Sequence, residues 1–191
     1  MNNKKSKQEK VIKSVISRNG IQHLPAVSYI KDGKQYVCDG SRIFEFDTIC
    51  NSVPIGTDQD MKKGKLEQIL EFAENAMNNK HMELIIPKRS KLAAYIKAEK
   101  LRLKANKSEF SLYSREWSNR VTYNFGEDLP AVDAEFLLDA LDGIPDGKFY
   151  CTDIKTRGIE LSPIIVLGEH GKAALMPVRK NPYTADIATE I

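Results

Sequence analysis

Apolar residues along this chain follow two rhythms, one helical and one alternating. Val11-Ile12 and Val15-Ile16 share one face of a helix, and Asn19-Gly20 supplies a stop, which predicts a short amphipathic helix. Alternation follows. Residues 26–30 and 35–38 predict two strands joined by a hairpin turn at Lys31-Asp32-Gly33-Lys34. Asp39-Gly40 turns the chain again, into a third strand over Arg42–Phe46. The unit reads helix, strand, strand, strand. Residues 48–60 form a polar connector that contains Pro54 and Gly56. Leu66, Ile69, Leu70, Ala73, Ala76 and Met77 then return to the helical spacing and predict a further helix.

A second unit is predicted from a strand at 83–86. Pro87 stands in the first turn of the next helix, where its missing N–H costs nothing. Leu92, Ala93, Tyr95 and Ile96 give that helix its apolar stripe. Residues 101–105 and 109–113 alternate like strands around an Asn106-Lys107-Ser108 turn, and 120–125 extend the same sheet. A third unit begins near Pro130 with a helix over 133–141, whose Phe136, Leu137, Ala140 and Leu141 face inward. Residues 143–147 break it. Strands are predicted at 148–152, 159–161, 164–167 and 173–177, with Glu169-His170-Gly171 as the last turn. A helix followed by a small antiparallel sheet thus recurs three times, and the fold class is α+β.

Charge adds a second layer. The net charge is only +3, but it is unevenly spread. Residues 82–107 hold eight bases (Lys88, Arg89, Lys91, Lys97, Lys100, Arg102, Lys104, Lys107) against Glu83 and Glu99. Residues 126–146 hold seven acids and no base. A local basic surface can hold a phosphate backbone whatever the net charge; the plainer reading is two oppositely charged solvated faces. The first ten residues are basic and polar with no apolar run behind them, which predicts a disordered tail and no secretory signal. No run of apolar residues is long enough for a membrane-spanning helix. Cys38, Cys50 and Cys151 are odd in number and lack C-x-x-C spacing, so reduced thiols in a cytoplasmic protein are expected, with no metal.

Catalytic motifs are missing. There is no phosphate-cradling glycine loop, no paired-histidine zinc helix and no nucleophile elbow. His23, His81 and His170 fall at loops or element edges, and Asp133, Glu135 and Asp139 read as a solvated helix face. No enzyme and no cofactor are expected.

Five short segments carry a family resemblance. Cys38-Asp39-Gly40-Ser41-Arg42-Ile43, after a helix, Pro25-Ala26-Val27 and a hairpin, is similar to the T-D-G-H-R-L segment in the central domain of the bacterial DNA sliding clamp, the β subunit of the replicative polymerase. Ile85-Ile86-Pro87-Lys88-Arg89-Ser90-Lys91-Leu92 resembles that domain's I-[IV]-P-[KR]-x-x-[LV]. Phe136 to Leu141 resembles F-L-L-D-A-L of the last half-domain. Ser162 to Val166 and the closing Met176-Pro177-Val178-Arg179 resemble its final strands. The segments stand in family order and span most of residues 11–179.

The resemblance implies a sliding-clamp-like fold and a non-catalytic DNA replication accessory, a processivity factor of the shortened kind a phage or mobile element encodes. It implies a pocket for peptides of DNA polymerase or other clamp clients at Gly40, Ser41, Arg42, Ile43, Pro130, Leu175, Met176, Pro177 and Val178. Ile, Met and Pro would take Leu and Phe anchors from an extended peptide, with Arg42 on its polar groups. It implies weak double-stranded DNA binding without sequence preference through Lys13, Arg18, Lys88, Arg89 and Lys91, and a possible homo-oligomer. On this reading 1–10 is the tail, 11–60 a first half-unit, 61–81 an inserted helix, 82–180 a domain of two half-units and 181–191 a loose tail.

The departures are specific. Family members carry three domains of two units each, whereas this chain has three units, and Ser41 replaces a histidine. Two rival readings go with them. One is a regulator that competes with a host clamp or binds it and its clients. The other is a ParB-like nucleic-acid-binding module, suggested by Tyr36 to Arg42, although that pattern places its arginine three residues after the glycine and Arg42 comes two after Gly40.

Overall fold

The computed structural model describes residues 2–17, 26–56, 71, 75, 78, 80–105, 120–126, 128–152 and 162–179. In chain order these form α1 (Asn2–Ser17), β1 (Val27–Lys31), β2 (Lys34–Cys38), β3 (Arg42–Phe46), β4 (Lys80–Glu83), α2 (Arg89–Ala105), β5 (Thr122–Asn124), β6 (Ala131–Asp133), α3 (Ala134–Gly143), β7 (Lys148–Thr152), β8 (Ile164–Gly168) and β9 (Gly171–Leu175).

The β1–β2 turn shows why local chemistry fixes the first hairpin. Asp32 and Gly33 both adopt positive φ, 51° and 75°, the two-residue turn whose twist matches that of its strands. Lys31 therefore pairs with Lys34, and the register runs back to Val27 opposite Cys38. β3 adds to β2 after the Asp39–Ser41 turn. β7, β8 and β9 form a second antiparallel set. The two sets join where β3 pairs with β9, Arg42 opposite Leu175 and Phe46 opposite Gly171. With β4 beside β7, the result is a seven-stranded antiparallel sheet in the order β1-β2-β3-β9-β8-β7-β4.

That order is symmetric about the β3–β9 contact. A helix and three strands (α1, β1, β2, β3) meet a helix and three strands (α3, β7, β8, β9) head to head, and α1 packs on α3. The sheet follows this pseudo-two-fold, and so it runs across the expected division between 11–60 and 82–180. β5 and β6 form a separate ribbon, tied to the chain just past β9 by a bridge from Ala131 to Val178.

Strand alternation sorts the side chains. Phe44, Phe46, Ala173, Leu175, Ile164 and Val166 face the helices and build the main core with Ile12, Val15, Leu92, Leu137 and Ala140. Their neighbours Ile43, Ala174 and Ile165 join Val27 and Cys38 in a small cluster on the other face. The protein is α+β.

Several boundaries differ from expectation for identifiable reasons. Helix α1 starts at Asn2, so residues 2–10 are helix and not a disordered tail. Gln8 is the reason: it is 2% exposed, and its Nε2 donates to the carbonyls of Gly143 at 3.1 Å and His170 at 3.3 Å. Residues 101–105 finish α2 and form no strand, because Leu103 is buried in line with Leu92, Ile96 and Glu99. β4 lies at 80–83 where 83–86 was expected, and β9 at 171–175 where 173–177 was expected. Residues 71, 75 and 78 are helical, at the end of the stretch predicted as an inserted helix. Lys80 and His81, the last residues of that stretch, belong to β4 and not to a helix; its remaining residues, the strands expected at 109–113 and 159–161 and the tail at 181–191 lie outside the described residues.

Candidate functional site

The turn between β2 and β3 is held from inside. Asp39 Oδ1 accepts from the backbone N–H of Ser41 at 3.0 Å and of Arg42 at 3.1 Å, an aspartate turn that bends the chain on itself. Gly40 takes φ +84°, a conformation that side chains with a Cβ rarely adopt. Its N–H also points at Cys38 Sγ, 3.3 Å away. Burial pushes the Cys38 thiol up to about 11, so it stays protonated.

Arg42 anchors this turn. Its side chain is fully buried, with Nε donating to Asp39 Oδ2 at 2.9 Å and Nη1 to Asp139 Oδ2 on α3. Ser14 of α1 donates to the same Asp139 oxygen at 2.9 Å. The guanidinium lies over the Phe136 ring, 4.5 Å from its centroid. Arg42 thus ties the turn to both helices, and its Nη2 has no hydrogen-bond partner among the described residues.

Past β9 the chain stays beside this turn. Met176 N–H donates to the Ser41 carbonyl at 2.8 Å, and Val178 N–H to Ala131 at 2.9 Å, next to buried Pro130. All nine expected pocket residues are therefore brought together, although they come from three distant stretches of sequence. They do not all reach the surface. Arg42 and Leu175 point into the helix-side core, and Ile43 lies on the opposite face of the sheet. Ser41 is nearly buried. The side chains on offer are Met176, Pro177 and Val178, half-buried, with Gly40 alongside.

The expected DNA contacts fall in two places. Lys13 is exposed on α1. Lys88, Arg89 and Lys91 are exposed where α2 begins. Arg18 lies outside the described residues. Helix α3, acidic throughout, packs against both α1 and α2. Asp142 forks onto Arg89 at 2.5 and 2.7 Å, and these bonds hold the guanidinium above its ordinary pKa. Lys100 meets Glu135 at 2.5 Å. The basic and acidic stretches are thus partners inside one molecule, and Arg89 is engaged.

Sequence reasoning missed Gln8 and Ser14, turned Phe136 inward without its stack on Arg42, and read Asp139 as part of a solvated helix face where the structure pairs it with Arg42 and Ser14. Only Asp39, three residues before Arg42, left a local signal. It also missed a cleft of about 340 Å³ between residues 82–87 and Tyr123, Phe125 and Leu129. Among the described residues no cluster of His, Cys, Asp and Glu could hold a metal, and no helix is long and apolar enough to cross a membrane. No protein-family model, curated protein or solved structure matches the chain.

Proposed function

We propose that this protein is a non-catalytic, sliding-clamp-like accessory of DNA replication that binds an extended client peptide along Met176, Pro177 and Val178 beside Gly40. One observation carries the reading: the two segments that resemble the clamp's peptide site lie at opposite ends of the chain, yet Met176 N–H bonds the Ser41 carbonyl and Arg42 pairs with Leu175. The symmetric join of two helix-plus-three-strand units supports the same reading. The strip suits a peptide. It is apolar and half-buried, and the ladder and the Arg42 cluster hold it in place, so little ordering entropy is lost on binding. In this reading Arg42 supports the pocket from behind. Duplex DNA meets Lys13, Lys88 and Lys91 through phosphates alone, weakly and with strong salt dependence.

The test is fluorescence anisotropy with a labelled peptide carrying Leu and Phe anchors. The expected result is micromolar binding by the wild type and a loss of about tenfold in Met176→Ala, the size expected for truncating one apolar anchor contact. Absence of binding, or equal binding by the variant, sinks the reading.

A further inference from the structure

The two faces of the sheet are covered differently. On one, α1, α2 and α3 close the main core. On the other, a row of residues runs across five strands: Val27 pairs with Cys38, Cys38 with Ile43, Ile43 with Ala174 and Ala174 with Ile165. All five are at most 8% exposed, and Ile165 is 0% exposed. They form a cluster of their own, to which no described helix contributes. The next row on the same face, two residues along each strand, behaves differently. Its Tyr29, Tyr36, Glu45, Lys172 and Leu167 are half-buried or exposed. A sheet shields a side chain from the sides and not from above, so the first row has a cover and the second does not.

The chain between β3 and β4 supplies a candidate. The Gly56 N–H bonds the Ser28 carbonyl of β1 at 2.7 Å, Lys80 opens β4, and β1 and β4 are the two outermost strands. Six inter-strand steps of about 4.8 Å put those edges about 29 Å apart. Residues 57–79 therefore connect opposite edges of the sheet, and α1, α2 and α3 already fill its other face. The described residues of this connection are polar. Glu71, Asn75 and Asn78 are helical and exposed. Steps of four and three residues set them on one side of a helix, and Leu66, Ile69, Leu70, Ala73, Ala76 and Met77 then fall on the opposite side. From Leu66 to Met77 a helix rises about 17 Å, against about 19 Å for the row from Val27 to Ile165.

We infer that a helix of residues 66–77 docks on the open face of the sheet and seats Leu66, Ile69, Ala73 and Met77 on the row from Val27 to Ile165. The partner of this face is thus a segment of the same chain, and no other protein or nucleic acid takes the row while it is seated. The inference is independent of the peptide reading.

Disulfide trapping in the intact chain tests it, because Cys38 stands in the row while Cys50 and Cys151 lie in the main core. Ile69→Cys, Ala73→Cys and Ala76→Cys are introduced one at a time and oxidised mildly, and bridged peptides are identified by mass spectrometry. At least one of the three is expected to bridge to Cys38. Glu71→Cys and Asn75→Cys, on the exposed side, are expected to give no such bridge. A second measurement keeps the native cysteines alone. In Leu66→Gln/Met77→Gln, alkylation of Cys38 by N-ethylmaleimide is expected to speed up more than about tenfold, with Cys50 and Cys151 unchanged. No bridge to Cys38 from any stripe position, bridges to Cys50 or Cys151 instead, equal bridging from the exposed side, an unchanged Cys38 rate, or all three thiols speeding up together overturns the inference.

Discussion

Arg42 is the residue on which most of the observed arrangement turns. A charged side chain in a hairpin normally faces water, and the sequence gives no reason to think otherwise except Asp39 three positions earlier. The structure buries it completely between Asp39 and Asp139 and stacks it on Phe136. Burying a guanidinium is costly, and two carboxylates and a ring face offset that cost only while all are present. Arg42→Ala leaves the nearly buried Asp39 carboxylate with two backbone N–H donors and no cation. The expected loss is about 3–5 kcal/mol of folding stability, a large share of what a domain of this size holds. Asp139→Asn keeps the shape and leaves a site that water partly reaches, so about 1–3 kcal/mol is expected. Urea titration of the two variants ranks them. Equal midpoints for both and the wild type would show that Arg42 is not the support described.

At the scale of elements, what the sequence made legible is local and what it hid is not. β3 and β7 fall where alternation put them, and the first hairpin follows from Asp32-Gly33 alone. The last five residues of α2 read as a strand in sequence because Leu101, Leu103 and Ala105 also alternate. Only packing decides: Leu103 is buried and Leu101 is 62% exposed, as a continuing helix requires. The first turns of α1 left no apolar signal because a polar residue, Gln8, anchors them to carbonyls far along the chain. The pairing of α2 with α3 bears on the proposed DNA contact. Asp142 occupies the fork of Arg89, so Arg89 adds little to phosphate binding in the wild type. Asp142→Asn is expected to release it and to steepen the slope of log affinity against log salt on duplex DNA by about 0.9, one phosphate contact. Lys13→Gln is expected to make the slope shallower by a similar amount. Anisotropy on a labelled duplex across a salt series reads both, and an unchanged slope in Asp142→Asn removes Arg89 from the DNA surface.

At the scale of the molecule, the decisive contact is between β3 and β9, and no periodicity announces it. Patterns along a chain show which faces are apolar; they do not say which edge meets which. The expected division at 61–81 parts a half-unit, 11–60, from a domain of two half-units, 82–180. Instead the β3–β9 ladder, α1 on α3 and the Arg42 cluster all cross that line. Each half depends on the other for its core: Phe44 and Phe46 come from one, Leu137, Ala140 and Leu175 from the other. Two halves that share one core unfold together. Far-UV circular dichroism and tyrosine fluorescence should therefore trace one coincident urea transition, and residues 82–180 expressed alone should lack it, since β9 has lost β3 and α3 has lost α1. Native-state hydrogen exchange gives the finer form of the same prediction. β3, β9 and β8 lie inside the sheet and should open only with the whole molecule, while β4 and β1, at its edges, should exchange earlier. β1 should hold longer than β4, because the Gly56 N–H donates to the Ser28 carbonyl at 2.7 Å and ties the following loop to that strand. Two separated transitions, or a folded 82–180 fragment, would place the boundary back at 61–81 and detach the peptide strip from the turn that supports it.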